Sequence, residues 1–121
     1  MLDLDCKVHY QELGICVCSA LVNEALKLGF SKNEIPDISW NGIRFSMMKD
    51  PANGNVCYSG NWVSELGLKL GEFQINSDGS FFAEHDLVKS HPTKKGVFVE
   101  SVIAWGKNSR VTTEAKFIQA L

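Results

Sequence analysis

The turn Asn76-Ser77-Asp78-Gly79 constrains this chain more than any other stretch, because it separates two runs of alternating apolar residues and its chemistry suits one geometry. Asn, Ser and Asp fit the first three positions of a type I turn, and glycine accepts the positive φ required at the fourth. Such a turn closes a three-residue hairpin loop with a glycine bulge. Side chains alternate along a strand with a period of two, so this closure predicts Ile75 beside Phe81 and Phe73 beside Ala83 on one face. The same face continues through His85 and Leu87. After the loop Ser90-His91-Pro92-Thr93-Lys94-Lys95-Gly96 comes the most strand-like run of the chain, Val97 to Trp105, which is predicted at the centre of the sheet.

The last turn falls in Gly106-Lys107-Asn108-Ser109. A three-residue loop there pairs Val97 with Phe117, Val99 with Ala115 and Ile103 with Val111. A loop one residue longer sets Val97 and Val99 against Lys116 and Glu114. The hydrophobic pattern selects the shorter loop, since a slip of one residue sends the whole apolar set to the other face.

The predicted core face then holds Phe73, Ile75, Phe81, Ala83, Leu87, Val97, Val99, Ile103, Trp105, Val111, Ala115 and Phe117, with His85, Ser101 and Thr113 as its polar members. The opposite face carries Glu84, Asp86, Glu100 and Glu114 among Phe82, Val88, Phe98 and Val102, with Arg110 and Lys116 on the last strand. Acids interleaved with aromatic and branched residues are a poor match to plain solvent, because they leave a contiguous apolar patch exposed.

Upstream, Ile15, Cys18, Leu21, Val22, Ala25, Leu26 and Leu28 recur at helical spacing and predict a helix from about Glu12 to Leu28. Gly29 is a suitable left-handed cap, with Phe30 placed to fold back on the last turn. The helix is apolar around most of its circumference, so cover is expected on more than one side. Cys6 to Tyr10 reads either as the start of this helix or as a short edge strand.

Ser31-Lys32-Asn33-Glu34 has the spacing of a capping box, and Pro36 limits any helix begun there to about one turn. Ile43 to Met47 alternates as a strand with Ile43, Phe45 and Met47 inward. Asp50 to Glu65, with Pro51, Gly54, Gly60 and three asparagines, reads as a long loop carrying Cys57, Tyr58 and Trp62. Leu66, Leu68 and Leu70 alternate on one parity while Phe73 and Ile75 take the other, so a bulge is expected at Gly71. The expected architecture is a single α+β domain over residues 1–121, with one N-terminal helix packed on an antiparallel meander of about five strands.

Such a domain needs no covalent staple: 121 residues, 45% of them hydrophobic and 21% charged, bury roughly two thirds of the surface of the unfolded chain. A formal net charge of -2 and a pI near 5.9 argue against a nucleic-acid partner, which demands a basic footprint. Met1-Leu2-Asp3-Leu4-Asp5 lacks the cationic start of a signal peptide, and the longest apolar run is too short to span a membrane. The expectation is a soluble, cytoplasmic protein with no membrane partner.

Four cysteines in that setting read as thiols. Cys16 and Cys18 diverge by roughly 200° on a helix, and Cys6, Cys57 and His9 do not complete a zinc-knuckle spacing, so neither metal nor cofactor is expected. In Glu84-His85-Asp86, His85 points away from both neighbours and is expected near Ser101 across the strand pair. No third carboxylate lies on that side, which favours a structural hydrogen bond over a nucleophile with its base. No phosphate loop or nucleophile elbow accompanies Glu84, Asp86 and Glu100, so no catalytic residue is assigned.

The leading expectation is a non-enzymatic binding domain that docks a basic protein through Phe82, Glu84, Asp86, Phe98, Glu100 and Glu114. Small acidic inhibitors of basic nuclease toxins work by such complementarity, and a bacterial immunity or inhibitor protein is its concrete form. Two alternatives belong to other classes. One is a small-ligand or enzyme domain with a pocket between helix and curved sheet, walled by Trp40, Cys57, Trp62, His85 and Trp105. The other is a homodimer that buries the acidic face against its own copy, with Arg110 and Lys116 interleaved.

Overall fold

Between Leu4 and Leu28 the chain has no proline and a single glycine, and the computed structural model, which describes residues 4–49, 51–107 and 110–119, places one unbroken helix there, α1 (Leu4–Leu28). The helix therefore starts before Glu12, and the strand alternative for Cys6 to Tyr10 does not hold. Adding a turn to an existing helix gains a hydrogen bond per residue without a new nucleation cost. At the other end Gly29 takes φ 110° and donates its N–H to the carbonyl of Leu26 at 3.0 Å, and Phe30 is buried.

Leu13, Val17, Leu21 and Ala25 form the buried stripe of α1, with Cys18 beside them. Ile15, expected inward, is instead 48% exposed on the far side. Gly14 has a packing reason in mid-helix: a Cβ built on it would overlap the six-membered ring of Trp40. Replacing an interior helix glycine by alanine ordinarily stabilises by about 1 kcal/mol. Here the sign should reverse, and urea unfolding of Gly14→Ala should show a lower midpoint than the wild type, because Trp40 must leave its contacts with Phe45 and Phe73 to make room.

After α1 the chain makes a single 3-10 turn at Lys32–Glu34, where the backbone N–H and the hydroxyl of Ser31 both donate to Glu34 Oε1, at 2.9 and 3.0 Å. A second such turn at Trp40–Gly42 leads into the sheet. The sheet has six strands in strict meander order: β1 (Ile43–Lys49), β2 (Val56–Val63), β3 (Lys69–Ile75), β4 (Ser80–Ser90), β5 (Val97–Lys107) and β6 (Arg110–Gln119).

The strand beyond the expected five is β2, which sequence chemistry assigns to a long loop. Its glycine and asparagine are weak strand formers, but pairing on both sides, with β1 and with β3, overrides propensity. Gly60 belongs there for a steric reason, since a Cβ would come within 2.6 Å of Ile43 Cγ2.

The β3–β4 hairpin has the expected register, Ile75 with Phe81 and Phe73 with Ala83, with Gly79 at φ 88°. Elsewhere extra residues change the faces. On β3 the unpaired residue is Leu70, since Trp62 pairs with Gly71 and Val63 with Lys69. On β4, Leu87 and Val88 together oppose Glu100, because Asp86 pairs with Ser101 and Lys89 with Val99. Val88 takes φ 52°, a left-handed conformation that costs a β-branched residue free energy.

On β5, Glu100 is in turn the extra residue against β6, where Val99 pairs with Phe117 and Ser101 with Lys116. These two adjacent bulges reverse the parity of β5. Val99 and Val102 both point inward, whereas Ser101, Ile103 and Trp105 point outward, contrary to the sequence expectation. The three-residue final loop is also overturned. Lys107 pairs with Arg110 and Ile103 with Glu114, leaving Asn108 and Ser109, which lie outside the described residues.

Helix α1 covers the inner side of β4, β5 and β6. Residues 30–42 close the other half: Trp40 meets Phe45 and Phe73 with ring centroids 4.6 and 5.9 Å apart, and Trp62 donates its indole N–H to the Ser39 carbonyl at 3.0 Å. Both covering segments lie on the inner side, so the sheet is a two-layer structure whose outer face is open among the described residues. Met47, expected inward, is exposed near the end of edge strand β1.

Candidate functional site

The outer face is built in rows that cross the strands. One row runs Ser59, Gln74, Phe82, Trp105 and Thr112, and the next runs Asn61, Glu72, Glu84, Ile103 and Glu114. Phe82 and Trp105 are directly opposite one another, each 38% exposed, and Ile103 is buried against the same patch. Cross-strand neighbours lie about 5 Å apart between Cβ atoms, so the two aromatic residues occupy adjoining positions on the exposed face. Beyond the acidic row stand Asp86 and the exposed Glu100. On the other side of Phe82 and Trp105, Lys107 and Arg110 form a basic margin.

Within the acidic row the charges are partly compensated. Glu84 Oε2 accepts a 2.7 Å hydrogen bond from the buried Ser101 hydroxyl and lies 3.1 Å from Lys116 Nζ. Partial burial acts to raise the Glu84 pKa, but the Ser101 and Lys116 interactions outweigh it and hold the carboxyl below its ordinary range. Glu72 lies 3.1 Å from Lys69 in an exposed pair, which contributes little to stability. Asp86, Glu100 and Glu114 form no salt bridge among the described residues. They carry the free negative charge of this surface.

Of the residues expected on this face, Phe82, Glu84, Asp86, Glu100 and Glu114 are there. Phe98 occupies the same side beyond the bulge and is half-buried. Val102 is not, because the bulge turns it into the core. Sequence reasoning missed Trp105 and Ile103 for the same reason. Glu72 was accessible to it, since inward Phe73 and Ile75 require an outward Glu72.

The five residues proposed to wall a pocket do not share one. Trp40, Trp62 and His85 lie on the inner side, with the Trp62 and His85 rings 5.1 Å apart. Trp105 lies on the outer face, and Cys57 alternates with the inward Tyr58 and so points outward as well. The inner side carries open depressions among the described residues, two of which are lined by expected pocket residues or their neighbours. A groove of about 570 Å³ runs between α1 and residues 38–41, and a cleft of about 350 Å³ lies where residues 33–36 approach the β4 bulge.

His85 is 1% exposed and lines that cleft. Its Nδ1 lies 2.8 Å from the Asp86 carbonyl, which only accepts, so Nδ1 carries the proton. Among the described residues Nε2 then presents a buried lone pair with no hydrogen-bond partner. His85 pairs with Val102 across the strands, while Ser101 bonds Glu84 on the other face, so the expected His85–Ser101 pair does not form.

Burial lowers the His85 pKa below its ordinary 6.5, against the opposing pull of the Asp86 carbonyl and the Asp86 and Asp37 charges. A neutral buried histidine contributes stability that is complete above about pH 6.5 and is lost as the pH falls toward its folded-state pKa. Between about pH 7.5 and pH 5.5 the wild type should therefore lose more stability than His85→Gln, as read from urea midpoints.

Cys16 is exposed, Cys57 half-buried and Cys18 buried, all as free thiols. Burial, together with the Asp37 charge, pushes the Cys18 thiol up to about 12, which makes it a poor nucleophile. Among the described residues no three His, Cys, Asp or Glu side chains are arranged to hold a metal ion, and no helix is long and apolar enough to cross a membrane. Comparison with protein-family models, with curated proteins and with solved structures finds no match.

Proposed function

We propose that this chain is a non-enzymatic binding domain that docks a basic protein on the open outer face of its sheet. The observation that carries the reading is the cross-strand pair Phe82 and Trp105, each 38% exposed and bordered by Glu72, Glu84 and Glu114, with Asp86 and Glu100 beyond. Aromatic side chains flanked by charge are the usual anchors of an interface, where the rings supply desolvated contact and the charges steer encounter. A small inhibitor of a basic enzyme, such as a bacterial immunity protein against a nuclease toxin, fits this chemistry.

Replacing Asp86, Glu100 and Glu114 together by Asn, Gln and Gln leaves the Glu84–Lys116 pair in place. The variant should associate more slowly with the partner and show a flatter salt dependence, because long-range steering acts on the association rate. Unchanged association kinetics across ionic strengths would count against this face.

A second reading, a small-ligand site on the inner side, is favoured by the unpartnered Nε2 of His85 beside the cleft lined by Ile35, Leu70 and Leu87. A ligand with an N–H or O–H donor would satisfy that lone pair. Soaking with a fragment library, followed by the His85 ring shifts in NMR spectra, distinguishes this reading, since a protein on the outer face leaves that ring untouched.

A further inference from the structure

Among the described residues the sheet has two free edges, β1 and β6, each paired on one side only. An unpaired edge presents a row of N–H and C=O groups that templates another strand. The β6 edge is the longer of the two, ten residues against seven, and carries Phe117 and Ile118 at 47% and 49% exposure. We infer that β6 pairs antiparallel with β6 of a second copy of this chain, joining two sheets into one around a two-fold axis at Ala115.

Charge selects that axis. A two-fold leaves outward residues facing outward residues, so the charged positions to be matched are Arg110, Glu114 and Lys116. An axis at Thr113 opposes Arg110 to Lys116, one at Glu114 opposes that residue to itself, and one at Lys116 does likewise. Like charges directly opposite are destabilising. An axis at Thr112 matches Arg110 with Glu114 but pairs residues 110–114 only and leaves Phe117 and Ile118 uncovered.

The axis at Ala115 places Glu114 opposite Lys116 of the second copy, twice by symmetry. It also pairs the backbone over residues 111–119, with Phe117 beside Thr113 and Ile118 beside Thr112. Glu114 has no salt bridge within its own chain among the described residues, and Lys116, already 3.1 Å from Glu84, would bridge that carboxylate and the Glu114 of the second copy. The interface is isologous, as closed dimers require.

The test uses two charge reversals. Sedimentation equilibrium of the wild-type chain should give a mass twice the 13.4 kDa of one copy. Glu114→Lys alone and Lys116→Glu alone each oppose like charges twice and should sediment as monomers. Mixed, the two variants present opposite charges at both contacts and should form a one-to-one heterodimer. Lys116→Glu stands close to Glu84 and could fail to fold, so Ile118→Asp serves as a further interface variant, with circular dichroism confirming the fold of each. A monomeric wild type, a dimer that survives both Glu114→Lys and Ile118→Asp, or two folded charge variants that do not pair when mixed would overturn the inference.

Discussion

Phe73→Ala should lower the unfolding free energy by about 3–5 kcal/mol, the range for removing a buried aromatic ring. Phe73 has no exposed surface and lies at the junction of the two covering segments, with Trp40, Phe45 and Trp62 ring centroids 5.9, 5.9 and 6.1 Å away. Those rings come from the 40–42 turn, β1 and β2, so none moves into the vacated space without loosening its own strand or turn. Domains of this size have only about 5–15 kcal/mol in total. Urea unfolding should show a large fall in midpoint, whereas Gln74→Ala, exposed on the adjoining position, should stay within about 0.5 kcal/mol of the wild type. The reverse order would place β3 on the wrong face.

Phe82→Ala and Trp105→Ala should leave the fold intact and weaken partner binding by roughly 30-fold each, about 2 kcal/mol, the effect of removing an interface anchor. Both rings are half exposed and neither belongs to the core cluster, so the loss should appear in binding rather than in thermal unfolding. Truncations within one interface act mainly on the dissociation rate. Surface plasmon resonance should therefore show faster dissociation with little change in association. Neutralising Asp86, Glu100 and Glu114 should do the opposite.

The fold was legible where turn chemistry was explicit. Asn76-Ser77-Asp78-Gly79 defined the β3–β4 register, and Gly29 defined the end of α1. The faces of β5 were not legible, because the two bulges that set them carry no glycine. One rests on Glu100, and the other places Val88 at a positive φ that its side chain disfavours. Long-range pairing of β4 with β5 and β5 with β6 sets these bulges, and no local residue chemistry announces it. Strand β2 was hidden by glycine and asparagine, and the tight packing of Gly60 against Ile43 and Phe45 turns out to require the absence of a side chain there. At the candidate site the acids were readable because β4 keeps its parity up to Asp86. Trp105 was lost with the parity of β5.

Docking on the outer face can be read from one dissociation-constant measurement on a partner captured from native extract and purified. Wild type, the Phe82→Ala/Trp105→Ala double variant and Ile15→Asp, which alters the exposed side of α1, are compared at about 50 and 300 mM salt. The double variant should lose binding by more than about 100-fold, wild-type affinity should fall with salt, and Ile15→Asp should bind as the wild type does. Retention of affinity by the double variant, with loss in Ile15→Asp, would rule out the outer face and move the binding surface to the helix side.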